Sequence, residues 1–513
     1  MHRIRLSSTS LFSLLFTTAA VAQGLELDVR GGSMPGVIQV DTYPGLIPGE
    51  LGMIIPSTNP GPTPLWPVSP LDPRSLDVGI DLLGLAWLGV YDLTGHFAFG
   101  VPIGSDPALQ DMQLYLQSVT FAFGANLLDR ISNPAAIRLG LSHTFRDRGV
   151  FFNDARAFAT AIPRPDRKTI LVGGGAGQLL AQVAVATTAI YDPWTDTCTP
   201  GPGLNTARSM HGATKLADGR WLLTGGVDTN NDPQASCEIY DPVADTFTAV
   251  APMGTPRMGH TATLLGNGKV LVTGGLHAMT VTPTQLSAIH DADATSELYD
   301  PLTDTWTPGP NLSTPRAAHF AFTRPDGKVL LGGGISWDTV IIVGWLPAIR
   351  RSCDLYDPVA NAIGSAPQMV TPRSTVDPVD LGNGRWLLAG GISSLSLTNP
   401  GSPTAAAEIY DAATNTWTAV GAMATARGNH KAWALGNGQF LLAGGANGSI
   451  LSPTALDSSE IFSTTTNTFS SGPTLTSARA GAAALPSAVG QMQLFGGAST
   501  GGSISYSTEW YFF

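Results

Sequence analysis

Short apolar runs separated by glycine- and proline-containing turns recur along most of this sequence. The stretch RMGHTATLLGNGKVLVTGG, residues 257–275, carries two β-prone runs joined by Asn-Gly, whose residues tolerate the positive φ of a tight hairpin turn. The pattern predicts two antiparallel strands, the second of which ends at a twin glycine. A phosphate loop would open a helix, whereas a strand follows here at once, so GNGK is interpreted as a hairpin tip.

The same pattern is repeated along the chain. Each copy continues through a variable loop into a third strand, such as SELYDPLTDTW, and a short Pro/Gly segment then leads to the next arginine. The average step of about 54 residues is typical of a propeller built from four-stranded blades. The seven copies begin at Arg156, Arg208, Arg257, Arg316, Arg373, Arg427 and Arg479, those at Arg156 and Arg479 being the weaker ones. A bulky or apolar residue precedes the next arginine by ten positions, at Cys198, Phe247, Trp306, Ile363, Trp417 and Phe469.

These marks resemble the kelch repeat, with its arginine and histidine opening, twin glycine, Tyr-Asp step and later tryptophan. The resemblance covers residues 142–513 and is closest to bacterial kelch proteins related to the propeller of galactose oxidase. It implies an all-β fold, a seven-bladed kelch β-propeller of four-stranded antiparallel blades. Because the last copy stops after its third strand, we predict that a strand from about residues 142–152 joins the last blade and closes the ring. Residues 23–141 do not repeat, and we predict a β-rich accessory domain of unknown role.

The N-terminus indicates where the protein is located. Arg3 and Arg5 precede an apolar run that closes on AVA, which predicts a secretory signal peptide over residues 1–22, cleaved near Ala22. No later stretch is both long and apolar enough to span a bilayer, so we expect a secreted protein, extracellular or periplasmic, without a membrane span. A net charge of −11 argues against nucleic-acid binding, and three cysteines argue against a disulfide framework. We expect a monomer without a cofactor.

One face of the predicted propeller collects the candidate binding residues. In a four-stranded meander, the loop after strand two and the entry to strand one share a face. Some kelch proteins use the strand-one arginines to contact acidic ligands; the alternative is that each arginine bonds to carbonyls or to an acid of the next blade. By this resemblance the candidates are Arg208, Arg257, Arg316, Arg373 and Arg427.

The long loops after the twin glycines supply further candidates. In the fourth copy, Trp337 and Trp345 with Arg350 and Arg351 are typical of a stacking platform for sugars beside positive charge, although buried loop anchors would explain the same tryptophans. The loop of the third copy carries candidates for a cation or a polar ligand, namely His277, His290, Asp291 and Asp293.

Two catalytic alternatives were tested on the residues. The histidines three positions after the arginines could form a metal ring, but strand side chains alternate between neighbouring blades, which favours packing between sheets. These are His211, His260, His319 and His430. Galactose oxidase needs a Tyr-His pair and a cysteine cross-linked to a tyrosine; no Tyr-His dipeptide occurs here, and Cys237 and Cys353 lie in third strands.

The sequence thus predicts a secreted kelch-repeat binding module for a glycan or protein ligand. A carbohydrate-active enzyme on the same scaffold and a structural surface or matrix protein remain alternatives. No acid/base pair identifies catalysis, so enzyme activity is left open and no metal ligands are assigned.

Overall fold

The structure is a computed structural model of the chain. The predicted signal peptide lies outside the residues it describes, and among the described residues no helix has the length and apolarity to cross a membrane. The described residues are 26–30, 33–34, 36–43, 51–61, 63–64, 75–76, 82, 85–91, 96–103, 109–110, 112–121, 128–132, 135–141, 144–150, 155–178, 181–193, 195, 197–277, 292–340, 344–396, 399, 401–449, 452–486, 492–499, 503–505 and 507–512.

Twelve strands are described before residue 142. They are β1 Glu26–Arg30, β2 Ser33–Met34, β3 Gly36–Tyr43, β4 Leu51–Ser57, β5 Thr63–Pro64, β6 Ser75–Leu76, β7 Trp87–Val90, β8 Phe97–Ile103, β9 Gln113–Phe121, β10 Leu128–Ile131, β11 Ala135–Arg138 and β12 Gly140–Leu141. One sheet has the order β1-β3-β8, and another has the order β10-β9-β4-β7 with β11 also paired to β9. Apolar side chains from both sheets, including Val29, Val40, Ile54 and Leu116, form one buried cluster. This part of the chain is therefore a packed β-structure.

The following 36 strands form the repeats. They are β13 Thr144–Val150, β14 Thr160–Pro163, β15 Thr169–Val172, β16 Gly175–Gln178, β17 Ala181–Ala184, β18 Thr188–Asp192, β19 Thr197–Pro200, β20 Gly212–Lys215, β21 Trp221–Thr224, β22 Cys237–Asp241, β23 Thr246–Val250, β24 Thr261–Leu264, β25 Val270–Thr273, β26 Ser296–Asp300, β27 Thr305–Pro308, β28 Phe320–Thr323, β29 Val329–Gly332, β30 Ile335–Val340, β31 Gly344–Ile349, β32 Cys353–Asp357, β33 Ala362–Ala366, β34 Val379–Gly382, β35 Arg385–Ala389, β36 Ile392–Ser394, β37 Ser402–Pro403, β38 Ala407–Asp411, β39 Thr416–Val420, β40 Lys431–Gly436, β41 Gln439–Ala443, β42 Ala446–Ser449, β43 Ser452–Ala455, β44 Ser459–Ser463, β45 Thr468–Ser471, β46 Ala483–Pro486, β47 Met492–Phe495 and β48 Ser507–Phe512.

Seven four-stranded antiparallel sheets follow one another along the chain. Sheets one to six are β14-β15-β18-β19, β20-β21-β22-β23, β24-β25-β26-β27, β28-β29-β32-β33, β34-β35-β38-β39 and β40-β41-β44-β45. Sheet seven has the order β13-β48-β47-β46, so its outer strand comes from the segment before the first repeat. In that strand Phe145 is paired with Tyr511, and their ring centroids are 4.9 Å apart. This arrangement of sheets is that of a β-propeller.

The predicted hairpin at residues 257–275 is confirmed. Strands β24 and β25 pair antiparallel, and the tip is closed by the Gly268 amide, which donates to the Leu265 carbonyl at 2.9 Å. Glycine is also required at the twin-glycine positions, where the backbones of neighbouring sheets are close together. A Cβ atom added to Gly225 would lie 2.4 Å from the Arg257 carbonyl oxygen of the next sheet, and φ at Gly225 is +53°. Neighbouring backbones therefore approach each other at this position, which only glycine permits.

The bulky residue ten positions before each arginine packs as predicted. Each of these six side chains is partly buried against a hydrophobic cluster of its own, and Trp306 also donates its indole N–H to the Ala251 carbonyl at 2.8 Å. Trp417 donates in the same way to the Pro367 carbonyl at 3.0 Å. One packing position per sheet therefore links the fourth strand to the segment that follows the preceding sheet.

A run of backbone hydrogen bonds joins the residues two positions after the arginines. Phe158 N donates to Gly481 O, Gly481 N to Asn429 O, Asn429 N to Thr375 O, Thr375 N to Ala318 O, Ala318 N to Gly259 O and Gly259 N to Met210 O, at 2.7–3.4 Å. All seven residues have φ between +49° and +62°. Sheets three to seven are thus each tied to the preceding sheet at a residue with left-handed backbone conformation, and sheet one is tied to sheet seven.

The left-handed conformation at this position predicts that glycine gives a higher free energy of unfolding than alanine in two adjacent sheets. Left-handed φ costs about 1 kcal/mol for a residue with a Cβ atom. We therefore expect Gly259→Ala to lower the free energy of unfolding by about 1 kcal/mol and Ala318→Gly to raise it by about 0.5 kcal/mol, measured by urea denaturation. Equal signs for the two exchanges would contradict the assignment of strain to φ.

Candidate functional site

The arginines and the loops after the twin glycines lie on one face of the sheets. Isolated bridges pair the residue after each arginine with the residue after the twin glycine of the same repeat, for example Ser209 with Val227 and Ala317 with Ile335. The segments that follow the seven twin glycines therefore emerge beside the arginines. We call this surface the loop face.

The five strand-one arginines among the predicted ligand-binding residues are completely buried. Each has a side-chain exposure of 0%, and its Nη1 donates at 2.7–2.9 Å to the carbonyl of the first twin glycine, 17 residues further along the chain. Arg479 makes the same bond at 2.9 Å and Arg156 makes it at 3.3 Å. The guanidinium groups are therefore used to hold the inner end of strand two.

Each buried arginine except Arg156 is paired with a carboxylate near the start of the third strand of its own sheet. The nitrogen–oxygen distances are 2.5–3.1 Å, and the pairs are Arg208–Glu238, Arg257–Glu297, Arg316–Asp354, Arg373–Glu408, Arg427–Glu460 and Arg479–Glu509. The same carboxylates also accept bonds from backbone amides that precede the arginine; Glu408, for instance, accepts from Val370 N at 2.7 Å. We call these six pairs the Arg–acid clamps.

The clamps favour the structural interpretation of the arginines, with one difference from the expectation. The acid belongs to the same sheet, because the entry to strand one and the start of strand three lie on either side of the end of strand two; an acid of the next blade was expected. The sequence carries a signal that was missed, because an acidic residue stands two positions before the tyrosine or its equivalent in CEIYD, SELYD, CDLYD, AEIYD and SEIFS. In sheet one, Ala189 occupies that position, and Arg156 instead donates to the carbonyl and the hydroxyl of Thr187.

The four repeated histidines lie between adjacent sheets. His260 Nε2 is 2.7 Å from Thr224 Oγ1 of the preceding sheet, His211 Nε2 is 3.1 Å from Thr160 Oγ1, and His319 Nε2 is 3.0 Å from Thr273 Oγ1. Burial, together with the charge of the nearby arginine, lowers the pKa of His211, His260 and His430 to about 3. These imidazoles are therefore neutral near pH 7 and pack the interface between sheets.

The fourth-sheet candidates have different environments. Trp337 is partly buried against Val227, Met258, Leu276 and Ala317, as expected for an anchor of its loop. The side chain of Trp345 lies outside the described residues. Arg350 is half-buried and donates to Ser336 Oγ at 3.3 Å, while Arg351 is exposed. Arg350 and Arg351 thus remain accessible at the base of this loop.

Three neighbouring hairpins project from the loop face. They are formed by β30–β31, β36–β37 and β42–β43, which follow the twin glycines of sheets four, five and six. Strand β31 contacts β36, and β37 contacts β42, so adjacent hairpins lie side by side. Exposed hydroxyl groups on the last two hairpins belong to Ser394, Ser396, Ser452 and Thr454. We call the three hairpins the hairpin rim.

A cleft of about 530 Å³ lies away from these residues, on the opposite face. It is bounded by the hairpin tips of sheets one and two, with Arg164, Lys215, Trp221 and Val243 among its walls. Arg164 is already engaged there, since it donates to Tyr240 Oη at 2.8 Å and also contacts Asp245. The cleft is open, and Arg164 and Arg220 in its walls are paired with carboxylates, so we assign the candidate site to the loop face.

The three cysteines are free thiols. Cys237 and Cys353 are buried in third strands, and burial raises the pKa of both thiols to about 12. Within the described ranges, no three His, Cys, Asp or Glu side chains are grouped so as to hold a metal ion.

Comparison with known proteins gives the fold. No family model matches the sequence, and no curated protein matches it. Among solved structures, a fungal alcohol oxidase of the AA5 family in complex with copper has a TM-score of 0.54 at 18% identity, covering 71% of this chain and 75% of the oxidase. The structure of YjhT has a TM-score of 0.44 at 17% identity, covering 58% of this chain and 92% of that protein. The similarity to the oxidase concerns the fold alone, a β-propeller.

Proposed function

We propose that the seven sheets are the blades of a closed, kelch-type ring, preceded by a β-rich accessory domain over residues 23–141. Closure is supported by the Phe158 amide, which donates to the Gly481 carbonyl at 2.9 Å, and by the contact between β14 of sheet one and β46 of sheet seven. The pairing of β13 with β48 supports the same arrangement, because it fastens the two ends of the repeat region together.

We propose further that the protein is a secreted binding module whose ligand is held on the loop face. The observation that carries this proposal is the hairpin rim. The Arg–acid clamps repeat from sheet to sheet, whereas the segments that start beside them differ in length and sequence. Variation confined to one face of a repeated scaffold is typical of a binding surface.

The chemistry of the rim favours a glycan over a protein ligand. The segments 392–403 and 446–455 contain no charged residue, and they are rich in serine, threonine and asparagine. Hydroxyl and amide groups match the hydroxyls of a sugar as donors and acceptors. Trp345 adds an aromatic ring to the neighbouring hairpin, as expected for stacking on a sugar face. A protein ligand is met more often by a central cluster of aromatic and arginine residues, and the segments 392–403 and 446–455 contain neither residue type.

We expect residues of the hairpin rim to be required for binding of the glycan that a glycan array identifies as the best ligand. We expect Trp345→Ala, and separately the double variant Ser452→Ala/Thr454→Ala, to weaken binding of the best glycan by at least 10-fold, since each lost hydrogen bond is worth about 1 kcal/mol. Leu302→Ala is the matched control, because Leu302 is 93% exposed in the turn between β26 and β27, away from the loop face. Binding is measured by isothermal titration calorimetry.

The outcome also distinguishes the alternatives. If the rim variants bind like the wild type while Leu302→Ala weakens binding, the ligand lies on the opposite face and the proposal is wrong. If no glycan binds but a protein partner is recovered whose binding the rim variants abolish, the loop face is correct and the ligand class is wrong. Secretion is tested separately, by N-terminal sequencing of the mature protein, for which cleavage after Ala22 is expected.

A further inference from the structure

The third sheet carries a carboxylate that the fold does not require. In every sheet, one loop-face residue donates its backbone N–H to the carbonyl of the second twin glycine; in sheet three this is Asp293, at 2.9 Å from Gly275. The residues at the same place in the other sheets are Val185, Gln234, Arg350, Thr404, Leu456 and Ser505. Residues with very different side chains therefore make this backbone bond. The bond does not require a carboxylate, so the carboxylate of Asp293 has another role.

This carboxylate is buried and holds several donors. Asp293 is 7% exposed, and its Oδ2 accepts from Arg257 Nη1 at 2.6 Å and from the Thr295 hydroxyl. Its Oδ1 accepts from the Thr295 amide at 2.8 Å. Arg257 is already paired with Glu297, at 3.0 Å. One guanidinium thus faces two carboxylates in sheet three, whereas each of the other clamps has one acid.

The extra carboxylate orients a histidine toward the surface. His277 Nε2 lies 2.7 Å from Asp293 Oδ2, and the histidine side chain is 36% exposed. Burial of Asp293 opposes its ionisation, but the close contact with His277, the bonds from Thr295 and the charge of Arg257 outweigh burial and lower the pKa of Asp293. An ionised carboxylate can only accept, so the nitrogen that faces it carries the proton. In the neutral imidazole, Nδ1 is then left as an acceptor.

We infer that His277 is a ligand-contacting residue of the loop face, whose Nδ1 accepts a hydrogen bond from a hydroxyl group of a glycan. Asp293 is a positioning residue that fixes the ring and its Nε2–H tautomer. This inference rests on the proposed function and adds to it a binding position on sheet three, next to the sheet that begins the hairpin rim. Of the four residues that the sequence suggests for this loop, His290 and Asp291 lie outside the described residues.

Two measurements on the full-length protein test the inference. Nitrogen-15 NMR of the imidazoles at pH 7.5 is expected to show the Nε2–H tautomer for His277 in the wild type. Asp293→Asn presents an amide that can donate to Nε2 and thereby favours the opposite tautomer, so we expect it to weaken glycan binding by about 10-fold. His277→Gln is expected to weaken binding to a similar extent. Asp228→Asn is the matched control, since it removes a loop-face carboxylate of sheet two and is expected to bind as the wild type does.

The possible results separate this inference from the proposed function. An Nδ1–H tautomer or an imidazolium in the wild type overturns the inference. Wild-type binding by both Asp293→Asn and His277→Gln also overturns it, while the rim variants still test the binding face. If the wild type binds no glycan, the proposed function fails and the ligand role of His277 fails with it. Should Asp293→Asn not fold, His277→Gln decides, because its side chain is partly exposed and does not support the clamp.

Discussion

Replacing Glu408 with alanine is expected to lower the free energy of unfolding by about 3–5 kcal/mol, because it leaves a buried positive charge without its partner. Arg373 is 0% exposed, and its Nη2 donates to Glu408 Oε1 at 2.7 Å. After the substitution, only neutral acceptors remain in the described contacts of this guanidinium, the carbonyls of Gly390 and Ala406. The amides of Val370 and Thr371 also lose their acceptor.

Urea denaturation of matched variants would measure this effect. Asp218→Ala is the control, because Asp218 and Arg220 form a pair at 2.7 Å in which both side chains are more than one-third exposed. Such a surface pair is worth about 0–1 kcal/mol. Glu408→Gln should fall between the two, since an amide oxygen still accepts from the arginine but carries no charge. If Glu408→Ala and Asp218→Ala had equal effects, the clamps would not be a main source of stability.

The strands could be predicted from the repeats, whereas the acidic partners of the arginines could not. Two β-prone apolar runs and the Asn-Gly or Asp-Gly turn between them determine pairing locally, as for β24 and β25. The partner of Arg373 is 35 residues away, and it can be identified only when strands one and three are placed on either side of strand two. The acidic residue that completes the clamp was present in each third strand, but arginine alone is compatible with a ligand or with a buried pair.

The loop face could be predicted as a location but not in its detail. The position of each loop follows from the repeat, because the twin glycine ends strand two and the loop must start there. The hairpins β36–β37 and β42–β43 have no counterpart at the same place in sheets two and three among the described residues, so the period gives no information on them. The pairing of His277 with Asp293 likewise depends on a single sheet, and no repetition indicates it.

Acidification from pH 6.5 toward pH 4 is expected to unfold the protein, because four histidines are buried in the neutral form. Burial and neighbouring arginines lower the pKa of His211, His260 and His430 to about 3, and they lower that of His319 well below its ordinary value of 6.5. The unfolded chain binds a proton at each of these residues below about pH 6.5, whereas the folded chain binds these protons only at much lower pH. Each histidine then removes about 1.4 kcal/mol of stability per pH unit in that window.

The summed slope approaches about 5 kcal/mol per pH unit, which would exhaust an ordinary folding stability of about 5–15 kcal/mol before pH 4. His319→Gln tests the cause, because glutamine still offers a polar group to Thr261 and Thr273 but does not titrate. We expect this variant to reduce the slope of unfolding free energy against pH by about one quarter, measured by urea denaturation between pH 6.5 and 4.5. Asp218→Asn should leave that slope unchanged, since hydrogen bonds from Arg220 lower the pKa of Asp218 below 3.8 and place its titration outside the window. A slope that His319→Gln does not alter would mean that groups other than the buried histidines cause acid unfolding.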